Sequence, residues 1–270
     1  MRLAQRIGIL VLILFLAACS TVPMTGRSQL SMIPRGQLLS MSYQQYDQFL
    51  KEHNVVRGTP AANSVQQVGA RIQRAVETWM RQNGYADQLS GFDWEFNLVS
   101  DESVNAFAMP GGKVVVFEGL IPVARKTTSL DTGLAVVIGH EIAHVVAAHG
   151  NERMSQGLLA QLGGVALSVA VKDKPEQTQA LWMAAYGAGA QVGILLPYSR
   201  LQEREADRLG LIFMAIAGYD PREALDFWKY MSEQKGGGAP PEFLSTHPSD
   251  QTRIDTLRRL IPEAMRYYEG

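Results

Sequence analysis

Two histidines and a glutamate stand at a spacing that suits a metal site. His140, Glu141 and His144 form the pattern H-E-x-x-H inside a stretch whose patterning predicts a helix over residues 129–149. Residues four apart lie one above the other on a helix face, so both imidazoles can bind one cation while Glu141 lies beside it. The pattern predicts a zinc ion, at which Glu141 takes a proton from water.

A catalytic zinc needs a third protein ligand, and three residues compete for this role. His149 lies five residues after His144 but further round the same helix, where it suits the negative C-terminal end. Glu203 and Asp207 are four residues apart and share one face of a second predicted helix. One of these carboxylates can bind the metal, while the other orients a ligand imidazole or helps to move a proton.

A fourth candidate, His247, follows a glycine-rich loop at residues 235–241. It can stabilise a tetrahedral oxyanion, or it can bind zinc as a fourth ligand and keep the site latent. A surface histidine in a loop is the structural alternative. Arg200 and Tyr198 are weaker oxyanion candidates, and His53 on a polar helix end is interpreted as structural or solvated.

The elements that must position these residues follow from hydrophobic patterning. Apolar spacing of three and four predicts amphipathic helices over 38–51 and 63–80, and alternation predicts a half-buried strand over 92–98. Two β-prone runs around Pro110-Gly111-Gly112 predict a hairpin from Asn105 to Phe117. For the H-E-x-x-H helix, Asp131 is the predicted N-cap and Gly150 the left-handed residue after its end.

Further helices are predicted after the H-E-x-x-H segment. Two are rich in small and apolar residues, at 158–171 and 181–196, and are interpreted as helices of a soluble core, with membrane contact as the alternative. Asp220-Pro221 opens another helix, and a last one covers 248–260. No segment is expected to span a membrane as a helix, because neither apolar run reaches about 20 residues.

The N-terminus has the arrangement of a signal peptide. Arg2 and Arg6 precede an apolar run from Ile7 to Ala18, which is shorter than the roughly 20 residues of a spanning helix. The segment before Cys19 resembles the bacterial lipobox, which implies cleavage before this residue and its acylation. By resemblance to Gram-negative lipoproteins, Ser20 implies sorting to the outer membrane.

These signals define the predicted organisation. We expect a signal peptide over 1–18, a lipidated N-terminus and tether over 19–37, and a single domain over 38–270. The predicted location is the bacterial outer membrane, with the protein anchored through Cys19 and facing the periplasm. The 25 Lys and Arg against 26 Asp and Glu give no basic excess, so no nucleic-acid partner is expected, and one cysteine excludes a disulfide scaffold.

The motifs resemble a known family, the zinc metallopeptidases that include the CAAX prenyl protease and the heat-shock protease HtpX. The resemblance covers about residues 60–260 and rests on four segments: 140–144 (HEIAH), 203–207 (EREAD), 105–112 (NAFAMPGG) and 245–248 (STHP). It implies one zinc ion on His140, His144 and Glu203, with Glu141 as the catalytic base and Asp207 as a supporting proton donor. Integral members carry long transmembrane helices, so this chain resembles a lipoprotein branch.

The patterning and the resemblance together predict an α+β, mostly helical, zincin-like metallopeptidase fold, with a small β-sheet or hairpin packed over the H-E-x-x-H helix. The implied function is a zinc-dependent endopeptidase that cleaves misfolded or unfolded envelope proteins. An extended substrate could add a strand to the hairpin edge. The alternative is an assembly factor or chaperone for outer-membrane proteins, with structural zinc and latent peptidase activity.

Overall fold

The computed structural model of the chain describes residues 19–174, 176–191, 196–233, 242–248 and 250–269. The predicted signal peptide and the glycine-rich loop lie outside these residues. The chain divides into two compact units, one of residues 1–35 and 148–202 and the other of residues 36–147 and 203–270. The predicted boundaries of a signal peptide, a tether and a single domain stay predictions.

Helices dominate the described residues, and the predicted fold class is confirmed. The helices are α1 (Arg35–Glu52), α2 (Pro60–Gln82), α3 (Ile121–Ala124), α4 (Leu130–Val146), α5 (His149–Val171), α6 (Glu176–Ala190), α7 (Leu196–Ile216), α8 (Glu223–Glu233), α9 (Glu242–Thr246) and α10 (Gln251–Ala264). The strands are β1 (Cys19–Thr21), β2 (Ser28–Leu30), β3 (Val55–Val56), β4 (Glu95–Val99), β5 (Ala106–Met109) and β6 (Lys113–Phe117). Short 3-10 helices cover Ala86–Leu89, Glu118–Leu120 and Met265–Tyr267.

The larger unit contains a four-stranded sheet in the order β3-β4-β6-β5. β4 and β6 are parallel, and the predicted hairpin is present as the antiparallel pair β5 and β6, which joins Ala106 to Val116 and Met109 to Lys113. β3 pairs antiparallel with β4. β5 therefore lies at one edge of this sheet, and it packs against α4, as predicted for the H-E-x-x-H helix.

The core lies between α2, the sheet and α4. The predicted apolar stripe of α2 is confirmed, because Val65, Val68, Ile72, Val76 and Met80 are all fully buried. Burial of each such side chain contributes about 1.5–3 kcal/mol. This core fixes the orientation of α4.

One expectation for β4 is wrong. Alternation predicted a strand with one solvated face, but Phe96, Asn97, Leu98 and Val99 are all buried. The amide of Asn97 donates to the hydroxyl of Tyr46, from α1, at 2.8 Å, which satisfies a polar group inside the protein. The strand is thus covered on both faces, and the polar residue marks a buried hydrogen bond rather than a surface.

The ends of α4 also differ from the prediction. Ser129 caps the helix by accepting a hydrogen bond from the Thr132 N–H, so the Asp131 cap was wrong by two residues. After α4, the left-handed residue is Ala148 with φ 54°, not Gly150. His149 is the first residue of α5 and is fully buried, so the prediction that it ends α4 is also wrong.

α4 and α7 approach each other closely at two glycines. A Cβ on Gly210 would lie 2.9 Å from the backbone N of His140 and 3.1 Å from the carbonyl C of Gly139. A Cβ on Gly139 would lie 3.0 Å from the carbonyl O of Gly210. The two backbones are therefore in contact at the turn of α4 that carries His140.

The smaller unit joins an N-terminal hairpin to α5. The segment predicted as a tether contains β1 and β2, which pair antiparallel. Arg27 forms an ion pair with Glu152 at 2.7 Å, and Asn151 exchanges hydrogen bonds with the backbone of Ile33. These contacts order the N-terminal segment against the first turns of α5.

The interpretation of α5 and α6 as helices of a soluble core is wrong, because their large apolar side chains are mostly exposed. Leu162, Val165 and Val169 on α5 are more than half exposed, as are Leu181 and Trp182 on α6. Small residues allow these helices to pack on each other, but the bulky ones are not covered in the described part of the chain. By length and composition alone, α5 is long and apolar enough to cross a membrane, although its apolar run was expected to be too short for this.

The remaining helices are present with shifted ends. α8 begins at Glu223, because Asp220 accepts from the Arg222 N–H in a turn before the helix. α10 begins after Asp250, whose carboxylate accepts from the Arg253 N–H. Shifts of this size are ordinary for helix termini.

Exchange of Gly210 for alanine tests the contact between α4 and α7. Because the added methyl group would meet backbone atoms rather than a flexible side chain, we expect Gly210→Ala to destabilise the larger unit by about 1–3 kcal/mol. Chemical denaturation measures this loss. Gly36→Ala, in the same unit and with open space around its Cβ, is the control and should not lose stability. Equal stability of the two variants would refute a tight contact.

Candidate metal centre

Four side chains converge in the larger unit from three parts of the chain. His140 and His144 come from adjacent turns of α4, Glu203 from α7, and His247 from the residue after α9. One nitrogen or oxygen atom from each lies within 4.8 Å of the others, and all four residues are buried. Each of the four was a candidate ligand from the sequence, and the structure brings them together.

The separations of the donor atoms fit a tetrahedral cation site. His140 Nε2 lies 3.1 Å from His144 Nε2 and 3.1 Å from His247 Nδ1. The carboxylate oxygens of Glu203 lie 3.0–3.4 Å from the three imidazoles. Zinc with bonds of about 2.0–2.1 Å to four ligands would hold neighbouring donors about 3.3 Å apart. The donor set of three imidazoles and one carboxylate therefore fits such an ion.

The charges of the cluster also favour binding of a cation. Burial by itself would lower the pKa of His140, but hydrogen bonds to Asp207 and Glu203 outweigh it and raise this pKa to about 9. Burial would raise the pKa of Glu203, but the three imidazoles hold it well below its usual range. Two buried carboxylates thus keep their negative charge and favour a positive charge among them, which a proton or a metal ion can supply.

Asp207 supports the ring of His140 from the side opposite the cluster. Its Oδ1 lies 3.1 Å from His140 Nδ1. The Nδ1–H of the ring therefore donates a hydrogen bond to Asp207, and Nε2 remains available for a cation. Burial would raise the pKa of Asp207, but the positive charge of Arg253 and the contact with His140 lower it. Asp207 therefore remains a carboxylate that orients His140.

Glu141 lies beside the cluster with one oxygen held and one unsatisfied. Its Oε2 accepts a hydrogen bond of 3.2 Å from the backbone N–H of Ala108 in β5. Its Oε1 is buried, makes no hydrogen bond, and lies 3.3 Å from His247 Nε2. An unsatisfied carboxylate oxygen in this position could accept a proton from a water molecule next to a bound cation.

The other sequence candidates have different positions. His149 is not part of the four-residue group, which leaves Glu203 as the carboxylate that faces the imidazoles. Arg200 is exposed, and the side chain of Tyr198 lies outside the described residues. His53 hydrogen-bonds the carbonyl of Phe49 and stacks on its ring, as a structural residue would. The roles assigned to the site residues, and lipidation of the exposed Cys19, stay predictions.

Sequence reasoning missed Arg253 and Trp228. Arg253 is buried and donates two hydrogen bonds to Asp207, at 2.6 and 3.0 Å, and its guanidinium lies 3.4 Å from the centre of the Trp228 ring. One signal was present in the sequence. Arg253 stands four residues before Leu257, and therefore on the apolar face of the last helix, where an arginine needs a partner.

Comparisons with known proteins agree with this site. The model of peptidase family M48 matches residues 66–261. The mitochondrial metalloendopeptidase OMA1 of Saccharomyces cerevisiae is 35% identical over 194 residues, which is 67% of this chain and 51% of that protein. The human metalloendopeptidase OMA1 is 30% identical over 267 residues, or 97% of this chain and 49% of that protein. The β-barrel assembly-enhancing protease of Yersinia pestis is 34% identical over 169 residues, or 61% and 34%.

The comparisons correct the predicted location. The chain spans about half the length of the OMA1 relatives it matches, and these are mitochondrial proteins of yeasts, mammals, a fish and a plant. The prediction of a bacterial outer-membrane location is therefore wrong. It rested on a basic and apolar leader and on Ser20, and such leaders direct proteins to more than one compartment.

Removal of one carboxylate tests the ligand set. Glu203→Ala should lower the affinity for Zn²⁺ more than about a hundredfold, because a direct ligand should contribute more than the 10- to 100-fold of its outer partners. Metal content after dialysis and competition with a chromophoric chelator measure this affinity. His149→Ala is the control and should keep the metal. Full zinc retention in the Glu203 variant, with loss in the His149 variant, would make His149 the ligand.

Proposed function

We propose that this chain, which belongs to peptidase family M48, is a zinc-dependent endopeptidase that cleaves unfolded or misassembled proteins. The family and the named relatives show a metalloendopeptidase, and zinc and the substrate class are the proposed details. The observation that carries the proposal is Glu141 Oε1, a buried carboxylate oxygen without a hydrogen bond beside four converging metal ligands. We also propose that, within this family, the chain is similar to the branch of HtpX and the CAAX prenyl protease.

Different residues of the chain would carry out the separate steps of peptide hydrolysis. Zinc held by His140, His144 and Glu203 would polarise the scissile carbonyl and lower the pKa of water. Glu141 Oε1 would accept the proton of the attacking water and pass it to the leaving amine. The hydrogen bond from Ala108 fixes the other oxygen of Glu141, so the accepting oxygen keeps its direction.

The edge strand β5 suits an extended polypeptide. The Ala108 N–H donates to Glu141 and not to β6, so this residue's backbone points away from the neighbouring strand and toward the catalytic side. A substrate strand that paired with this edge would gain main-chain hydrogen bonds that do not depend on side-chain identity. Cleavage of many unfolded sequences would follow, in agreement with quality control. A protease named for β-barrel assembly among the relatives supports misassembled proteins as the substrate class.

A second candidate function is an assembly factor or chaperone with structural zinc and latent peptidase activity. The observation that favours it is His247, whose Nδ1 lies 3.0 Å from Glu203 Oε2 and 3.1 Å from His140 Nε2. Structural zinc sites have four protein ligands, whereas catalytic sites keep one position for water. With His247 bound, the site is closed.

Exchange of Glu141 for glutamine tests the peptidase proposal. Glu141→Gln keeps the shape of the side chain and the acceptor for Ala108, but the amide cannot take a proton. We expect the variant to retain Zn²⁺ and to cleave unfolded casein at least about a hundredfold more slowly. The rate of peptide release, measured with metal content on the same samples, checks both parts. Unchanged cleavage would rule out the proposed mechanism.

Exchange of His247 for alanine separates the two functions of this residue. If His247 holds the site closed, His247→Ala opens the fourth position to water, and casein cleavage should increase severalfold while Zn²⁺ stays bound. If His247 instead stabilises the oxyanion, kcat should fall with little change in KM. The kinetic constants of the variant and of the unmodified chain, at equal zinc occupancy, decide between the two outcomes.

A further inference from the structure

Arg253 contacts several of the groups around His247. It is buried on α10, and its Nε and Nη2 donate to the two oxygens of Asp207 on α7 at 3.0 and 2.6 Å. Two parallel hydrogen bonds between a guanidinium and a carboxylate fix the plane of the arginine. Its remaining nitrogen, Nη1, lies 3.5 Å from Glu203 Oε2 and otherwise faces one place.

That place is the backbone of the segment that carries His247. Nη1 donates to the carbonyl oxygens of His247 and Pro248, both at 3.2 Å. In the described structure these carbonyls belong to neither a helix nor a strand, because they lie between α9 and α10. The guanidinium therefore joins the backbone of the fourth ligand to Asp207, and Asp207 in turn contacts His140.

Aromatic rings hold the other side of His247. The face of the Arg253 guanidinium lies over the Trp228 ring, and this ring stacks on Phe243 with centroids 5.6 Å apart. The Phe243 ring lies 4.7 Å from the His247 ring. The same arginine thus touches both the backbone of His247 and the Trp228 ring, which stacks on Phe243.

We propose that Arg253 is a positioning residue that holds His247 in the fourth ligand position of the metal centre. It is not itself a ligand. Without the bidentate contact and the two carbonyl bonds, the backbone of segment 247–248 loses its connection to Asp207, and His247 leaves the cluster while the other three ligands stay. The inference rests on the metal site of the proposed function, but not on peptidase activity.

Co²⁺ in place of zinc provides a readout of ligand number that does not depend on catalysis. A four-coordinate site of protein ligands absorbs strongly in the visible, whereas a site that loses one imidazole and takes up water to reach five or six ligands absorbs severalfold more weakly. We expect Arg253→Gln and Arg253→Lys at saturating Co²⁺ to show the weak spectrum of His247→Ala. The double variant Arg253→Gln/His247→Ala should match the His247 variant, because both changes remove one interaction.

The matched control is Arg208→Gln. Arg208 joins the same two helices, with two hydrogen bonds of 2.8 and 2.9 Å to Glu263, but it makes no contact with segment 247–248 in the described structure. We expect it to keep the strong spectrum of the unmodified chain. Arg253→Lys keeps the positive charge beside Asp207 and is the variant to use if Arg253→Gln does not fold.

Three outcomes would overturn the proposal. Variants of Arg253 could keep the strong spectrum, or the double variant could change it further than His247→Ala alone. Failure of both Arg253 variants to fold would assign the arginine to stability and not to the position of His247. If no variant cleaves casein but the spectra follow the expected pattern, the peptidase proposal fails and the role of Arg253 stands.

Discussion

The close approach of α4 and α7 is the constraint on which the metal centre depends. α4 carries both imidazoles of the H-E-x-x-H pattern, and α7 carries both carboxylates, so the distance between the helices sets the distance between ligands. Gly139 and Gly210 allow backbone contact at the level of His140. Side chains at these positions would separate the helices, and Glu203 would then lie too far from the imidazoles to share a cation with them.

Helices this close also bury the negative charges of Glu203 and Asp207, and positive groups nearby compensate these charges. Glu203 and Asp207 are both buried carboxylates, one turn apart. A buried charge costs several kcal/mol unless it is paired. Asp207 faces the guanidinium of Arg253, and Glu203 faces the three imidazoles, where a proton or a metal ion can supply the positive charge. Both carboxylates therefore lie near His140 and Arg253, but only Glu203 also faces His144 and His247.

Support for His247 is shared with the edge where a substrate strand would bind. The N–H of Phe243 in α9 donates to the carbonyl of Val104, two residues before β5 begins. Phe243 also lies against the ring of His247, and the hydrogen bond from Ala108 in β5 holds Glu141. The edge strand, Glu141 and His247 are thus linked by short contacts.

Local patterns in the sequence determined the parts of the site that lie within one element. The four-residue spacing of His140 and His144 placed two imidazoles on one face of a helix, and the stripe from Val65 to Met80 identified the face of α2 that enters the core. These inferences hold because helix geometry alone relates residues three and four apart. Glu203 and Asp207 were likewise found as a pair, and the resemblance to a metallopeptidase family connected them with the histidines.

Only the tertiary structure decided which distant residues meet. Arg253 and His247 stand more than 100 residues after His140, and no local periodicity relates them. Asn97 looked solvent-facing by alternation, but α1 covers it; α5 and α6 looked like core helices, but their bulky residues are exposed. In each case the polar or apolar character of the segment was identified correctly, but the element that covers it, or fails to cover it, was not. A sequence specifies the chemistry and the local spacing of its side chains, whereas burial and ligand number depend on packing between elements, which is set by contacts of the whole fold.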